Sequence, residues 1–420
     1  MKRRAFIRQS TLATGMLLVP SFLKAFEGFG QQGQKLILGN NEKILVVIQF
    51  SGGNDGLNTI IPYQNQLYYQ HRPTLAIAKE KVLKVNNELG FHPELSALRT
   101  LHDQGELCII NSVGYPNPDR SHFRSMDIWH TASSSHEYLQ TGWLGRYLDS
   151  NCDGCEKSYQ AIETDDSLSL ALKGINRKGM AIKNIQQLHK LTQEPFFKLT
   201  AQTANQNIHD GNGGLGNGYV DGDGKNATLD YLYKTMAETA SSADFIFEKN
   251  KTVSPTGDYP NSDLGKQLKQ IATWIRSGLS TKVYYVSLNG FDTHVNQEGK
   301  HGQLLKTYGE AVDAFAKDLK QQGFWNNTLV MTFSEFGRRV EQNASNGTDH
   351  GTANSVILAS GALKHKGFYN GAPDLSQLFD GDLRYQVDFR EIYATVLNKW
   401  LGADDQAILM RKFNQLDFLG

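Results

Sequence analysis

Cysteine is scarce in this sequence: Cys108, Cys152 and Cys155 are the only three in 420 residues. The lack of a second CxxC pair and of histidines at finger spacing argues against a structural zinc module, and Cys152-Asp-Gly-Cys155 can at most close a small loop. Excess charge of either sign is missing too. Lys plus Arg and Asp plus Glu stand at 43 each, so no global field gathers nucleic acid or an anionic membrane. After the first thirty residues no run is apolar enough to span a bilayer, which takes about 20 residues. Internal repeats are absent as well. The Gly/Asn/Asp-rich run DGNGGLGNGYVDGDG, Asp210 to Gly224, lacks the terminal Glu of an EF-hand loop. What remains is a globular chain, 39% apolar, with enough material for a large core.

The amino terminus differs in character. Lys2, Arg3 and Arg4 precede Phe6 and Ile7, and an apolar stretch runs from Leu12 to Val19. This pattern resembles a twin-arginine export signal, too short to span and without a clear small-x-small cleavage site. The expected organisation is a signal over residues 1–30, a linker over 31–43 and one α/β domain over 44–420. That domain carries a helical and Gly/Asn-rich insertion at about 150–280. The resemblance implies the twin-arginine export machinery as a partner, a periplasmic or cell-envelope location and no integral span in the mature protein.

Within the domain, Ile44 to Phe50, Leu107 to Asn111, Val283 to Leu288, Leu329 to Phe333 and Ser355 to Leu358 are short continuous apolar runs. Runs of this kind suit a parallel sheet covered on both faces. Helical patterns lie between several of them. Leu305, Tyr308, Val312, Phe315 and Leu319 fall on one face of Leu304 to Gln321, and Leu264 to Leu279 is a second case. The alternation predicts an α/β sandwich with a mostly parallel central sheet and helices on both faces.

In open α/β sheets, ligands collect outside the carboxyl ends of the strands. The residues found there are chemically pointed: Asn54 and Asp55 after the first run, Asp292 and His294 after Val283 to Leu288, with His301 opening the next helix. Ser334 and Glu335 follow Leu329 to Phe333, and a loop then reaches Asp349-His350. Asp292 and His294 are two apart, so an extended backbone aims both to one side, as two ligands of one ion require. Asp55, Asp292, His294, His301, Glu335, Asp349 and His350 are the expected metal-binding set. Carboxylates beside imidazoles favour one or two divalent ions, Zn or Mn. Ser121 stands before a helical stretch in which Phe123, Met126 and Trp129 lie on or near one face. A serine there caps the helix, and the same position lets the free N–H groups stabilise an anionic ester oxygen. Ser121 is therefore the expected nucleophile, with Asn54, Arg120, His122 and Arg124 as substrate contacts.

The segments QFSGGNDGLNTIIPY, PDRSHFRSMDIWHTA, TGWLGRYLD, FDTHVNQ, TFSEFGRR, GTDHG and VDFREIYATVLNKWLG, in this order, resemble the exported bacterial domain-of-unknown-function family 1501. That family is distantly similar to the alkaline phosphatase and sulfatase superfamily. The resemblance implies an alkaline-phosphatase-like sandwich with two divalent metals around a hydroxyl or modified Cys nucleophile. Asp55 matches the first-strand acidic ligand, Ser121 the nucleophile, Asp292 and His294 (or His301) the ligands of one metal, and His350 the final histidine. Glu335-Phe336 departs from the expected Asp-His pair and removes a ligand from one metal position. The implied function is an exported metal-dependent hydrolase of phosphate or sulfate esters, on a small-molecule or polymer substrate. The alternative is a non-catalytic envelope protein of the same fold that binds a glycan or a protein partner.

Overall fold

The apolar runs become strands because helices cover them on both sides. A computed structural model describes residues 42–150, 157–199 and 225–420. The expected export signal, Cys152, Cys155 and the run from Asp210 to Gly224 lie outside the described residues. In chain order the strands are β1 (Ile44–Ser51), β2 (Ile60–Ile61), β3 (Leu83–Lys84), β4 (Gly90–Phe91), β5 (Leu107–Gly114) and β6 (Ala161–Glu163). They continue with β7 (Met180–Ala181), β8 (Val283–Asn289), β9 (Thr328–Ser334), β10 (Asn354–Ala359), β11 (Gly367–Phe368) and β12 (Val387–Asp388). The main sheet runs β11-β5-β10-β9-β1-β8-β6-β7, with β12 also on β5, while β2, β4 and β3 form a small separate sheet.

The main sheet is mostly parallel, as expected from the sequence. β1 pairs parallel with β8 and β9, and only β10 runs antiparallel to its neighbours β5 and β9. Side chains of β1 alternate between two cores. Val46, Ile48 and Phe50 meet Leu268 and Ile271 of helix Asp263–Arg276 and Leu305 and Phe315 of helix Gln297–Gln321. Leu45 and Val47 join Trp129, Trp143, Tyr393 and Leu397 on the opposite face. Burial on both faces is the reason these strands are uniformly apolar rather than alternating. Ser262 caps the first of the two helices, its hydroxyl accepting from the Gly265 N–H, which fixes where the amphipathic face begins. No described helix is long and apolar enough to cross a membrane.

Helix His122–Thr131 departs from its sequence reading. Phe123 is 89% exposed while Trp129 is 2% exposed, and Ser125, Ile128 and Trp129 form the inward face. Phe123 and Trp129 are six residues apart, which places them far apart around a 3.6-residue turn. Cys108 is buried in β5, and desolvation pushes its thiol up to about 12, so it behaves as a core residue.

One buried acid in the sheet makes stability depend on pH. Glu163 ends β6 with 3% exposure, and burial pushes its carboxyl up from 4.5 to about 7, against the pull of the Ser169 N–H that donates to Oε2 at 2.6 Å. Between those values the folded state holds a proton that the unfolded chain has released. Stability therefore falls as pH rises through that window and levels off above it. We expect Glu163→Gln to remove most of this slope, so that wild type loses about 2 kcal/mol more than the variant between pH 5 and pH 8. Urea midpoints at the two pH values check it; parallel losses in both proteins would show that Glu163 is already ionised when folded.

Candidate metal centre

The register of the central strands brings their carboxyl ends level. Ser51 pairs with Asn289 of β8, and Phe50 with Ser334 of β9. The residues that follow, Gly52, Asp292 and Glu335, consequently emerge on one edge. Gly52 has φ of +119°, and a Cβ there would lie 2.3 Å from the Asp292 backbone nitrogen. Glycine at this point lets the two loops touch. The Gly52 N–H donates to Glu335 Oε1 at 2.8 Å, which ties the third loop to the first.

Three imidazoles converge on Asp292. Its Oδ1 lies 3.0 Å from His294 Nε2, 3.2 Å from His350 Nε2 and 3.5 Å from His122 Nε2. The Nε2 atoms of His294 and His350 are 2.9 Å apart. Each ring's other nitrogen faces an oxygen: His122 Nδ1 donates to Glu335 Oε1 at 2.9 Å, His294 Nδ1 to Asp349 Oδ1 at 3.0 Å and His350 Nδ1 to the Arg120 carbonyl at 2.8 Å. These acceptors assign the proton to Nδ1 in all three rings and leave three Nε2 lone pairs facing one carboxylate oxygen. His122 Nε2 is buried and has no hydrogen-bond partner among the described residues.

Such an arrangement is repulsive unless something positive sits within it. Arg338 supplies part of that charge. Its buried guanidinium donates to Asp292 Oδ1 at 2.6 Å and to the carbonyls of Gly53, Thr348, Phe291 and Gly52. Against it stand the carboxylates of Asp292, Glu335 and Asp349, the last also in the field of Arg339. Partial burial raises the Asp292 carboxyl, but the hydrogen bond and charge of Arg338 outweigh it and hold the group at about 2. The hydrogen bond to Glu335 raises His122, whereas burial lowers His350.

The donor set fits a divalent metal. His122, Asp292 and His350 each offer a ligand atom, all within 4.8 Å of one another, and His294 Nε2 lies 2.9 Å from His350 Nε2 and 3.0 Å from Asp292 Oδ1. Ligands held at about 2.0–2.1 Å around a tetrahedral ion stand roughly 3.3 Å apart; the Asp292, His294 and His350 atoms lie 2.9, 3.0 and 3.2 Å from one another, and His122 Nε2 lies 3.5 Å from Asp292 Oδ1. Glu335 and Asp349 each hold one of these rings through its Nδ1–H, as outer carboxylates would for metal-bound imidazoles. Phe336 packs its ring 4.9 Å from that of His122 and 4.8 Å from that of His350, so the residue in place of an expected histidine is a wall of the site.

Other residues singled out in the sequence are placed elsewhere. Asp55 is buried and its Oδ2 accepts from Arg72 Nη1 at 2.6 Å and Gln297 Nε2 at 2.5 Å. Burial alone would raise its carboxyl, yet the Arg72 charge and hydrogen bond bring it below the ordinary range. Asn54 and His301 are buried partners, Asn54 Oδ1 accepting from His301 Nε2 at 3.0 Å, and burial holds His301 down at about 3. Arg124 is spent on the carbonyls of Ser134, Ser135 and Glu137, and Arg120 on Asp380 and Asp382. Ser121 occupies the N-cap position of helix His122–Thr131, but its hydroxyl makes no capping bond and the residue is exposed. His122, expected among the substrate contacts, is the residue whose position in the cluster the sequence did not disclose. Its one signal was an imidazole at the first position of a helix following a strand end.

The family model described as "Protein of unknown function (DUF1501)" matches residues 233–418. The matched segment is the carboxy-terminal part of the chain. It contains Asp292, His294, Glu335, Asp349 and His350, whereas Ser121 and His122 precede it. No curated protein matches the chain by sequence. In structure the chain is similar to the lipoteichoic acid synthase LtaP from Listeria monocytogenes, at 10% identity and TM-score 0.36, covering 90% of this chain and 75% of that one. It is similar to a protein in the alkaline phosphatase superfamily from Vibrio parahaemolyticus at 12% identity and TM-score 0.36, covering 90% and 72%. A third similar structure is the PsFucS1 sulfatase from Pseudoalteromonas sp., at 12% identity and TM-score 0.39, covering 90% and 72%.

Proposed function

We propose that the protein is an exported, metal-dependent hydrolase of phosphate or sulfate esters, with Ser121 as its nucleophile. The observation that carries this reading is the convergence of three Nε2 lone pairs and the Asp292 carboxylate beside the start of helix His122–Thr131. His122, Asp292, His294 and His350 would hold the ion, and three imidazoles with one carboxylate suit zinc. A bound divalent ion supplies a Lewis acid that withdraws charge from the ester's anionic oxygens. The chain's own residues supply position. Ser121 immediately precedes His122 at the start of the helix. Asp119 Oδ1 accepts the Ser121 N–H at 2.7 Å and fixes the turn. The first-turn N–H groups of the helix lack intrahelical acceptors and are disposed to receive anionic oxygens. A cavity of ≈ 440 Å³, lined among others by Gln49, Gly52, His122, Phe123, Asp292 and Glu335, gives the ester access from solvent.

The test is turnover of 4-nitrophenyl phosphate and 4-nitrophenyl sulfate by the zinc-loaded protein. We expect Ser121→Ala to lose at least roughly a thousandfold in kcat while keeping its metal. Wild-type turnover retained in Ser121→Ala would remove the serine from the chemistry. A metal-loaded protein that hydrolyses neither ester but binds a glycan saturably would replace the hydrolase by a binding protein.

A further inference from the structure

The end of β1 forms part of the cavity that opens on the metal centre. Gln49 and Ser51 stand two apart on that strand, so both side chains leave the same face of the sheet, and both residues line the cavity with His122 and Asp292. A glutamine is costly in a strand that is apolar from Ile44 to Ile48, and Gln49 is only 6% exposed. Half of its amide is accounted for. Oε1 accepts from the Tyr285 hydroxyl and from His130 Nε2–H at 3.0 Å, and these two donors fill both lone pairs of the oxygen. Burial holds His130 down at about 4, so the ring behind the amide is neutral. The other half has no internal use. With Oε1 turned to His130 and Tyr285, Nε2 has no acceptor among the described residues, yet it is not sealed from solvent as the orphan indoles of Trp274 and Trp325 are. The hydroxyl of half-buried Ser51 likewise has no partner among the described residues. Among the described residues no Lys or Arg lines this cavity.

We infer that the Gln49 amide and the Ser51 hydroxyl are the donors that hold the tetrahedral oxyanion of a sulfate or phosphate ester at the metal centre. An NH2 group donates and cannot accept, so it selects a group that presents lone pairs. Held by two buried bonds, the amide need not be ordered when the ligand arrives. With no side-chain cation in the wall, orientation of the oxyanion falls on these two neutral donors. The assignment rests on the hydrolase reading and adds to it two substrate-binding residues that face the reacting group.

The experiment is isothermal titration of the zinc-loaded chain with sodium sulfate and, separately, sodium phosphate, beside a chelating-dye measurement of zinc affinity. Saturable binding of one anion per chain is expected, weakened at least about tenfold by Ser51→Ala and by Gln49→Glu, the lower end for a hydrogen bond to a charged group. Ser51→Ala removes a hydroxyl without a partner and should leave zinc affinity and the unfolding midpoint unchanged. Gln49→Glu keeps an oxygen for Tyr285 and His130 and exchanges the NH2 for a second acceptor, so a merely structural glutamine would tolerate it. No saturable anion binding by wild type, unaltered affinity in either variant, or a loss in Ser51→Ala that only tracks lost zinc overturns the assignment. Anion binding as described in a protein that hydrolyses neither 4-nitrophenyl ester defeats the hydrolase reading and leaves the donor pair standing; ester turnover at wild-type kcat/KM in both variants does the reverse.

Discussion

Replacing Arg72 by Met is expected to destabilise the protein by about 3–5 kcal/mol, the usual cost of stranding one partner of a buried ion pair. Arg72 and Asp55 have no exposed side-chain surface. The guanidinium also donates to Asn58 Oδ1 at 2.8 Å and to the carbonyls of Val340 and Arg339 at 2.8 Å each. It thus stitches the segment after β1 to the loop after β9. In Arg72→Met the Asp55 carboxylate keeps Gln297 but loses its countercharge. The double variant Asp55→Asn with Arg72→Met should be less damaged than Arg72→Met alone, since no uncompensated charge remains. The same pair sets an acid limit. With the folded pKa of Asp55 below its ordinary 3.8, its stabilisation is complete above that value and is lost as pH falls through the lower, folded one. Denaturant unfolding of the two variants checks this. An Arg72→Met protein within about 1 kcal/mol of wild type would mean that Asp55 finds another partner, a bound cation included.

The second large effect concerns the imidazoles. Each of His122→Ala, His294→Ala and His350→Ala should weaken zinc binding by at least about a hundredfold, and Asp349→Asn or Glu335→Gln by about 10–100-fold through the orientation of the rings they hold. The stability of the metal-free protein should respond in another order. His122 Nε2 has no partner to lose, so its truncation mainly frees Glu335 Oε1, which still accepts the Gly52 N–H. Competition with a chelating dye measures affinity, and unfolding of the metal-free protein measures the rest. Histidine variants that bind zinc as tightly as wild type would show that the cluster is held together by protons and Arg338 alone.

The fold was largely legible because β1, β5, β8, β9 and β10 are buried on both faces, and continuous apolar runs have few other uses. The helix beginning at Gln297 was readable from the spacing of Leu305, Tyr308, Val312, Phe315 and Leu319, all buried. The site was legible only in part. Asp292, His294 and His350 follow from the rule that ligands gather at strand ends, and the fold brings those three together. Asp55 obeys the same rule yet faces inward, because its partner Arg72 lies in a segment whose placement depends on the whole tertiary structure. Glu335 and Asp349 stand one bond network farther out, a distinction of about 3 Å that spacing cannot express. His122 belongs to the opposite case: its helix is reached from β5, and only the sheet order carries that end toward Asp292.

The most direct test of the central claim, that three imidazole Nε2 atoms and the Asp292 carboxylate face a common cation, is X-ray absorption at the zinc edge of the loaded protein. The account predicts one ion per chain with three imidazole nitrogens and one carboxylate oxygen at about 2.0–2.1 Å, and imidazole scattering that diminishes in His122→Ala. An ion surrounded by oxygen alone, or an imidazole count unchanged in that variant, would contradict it.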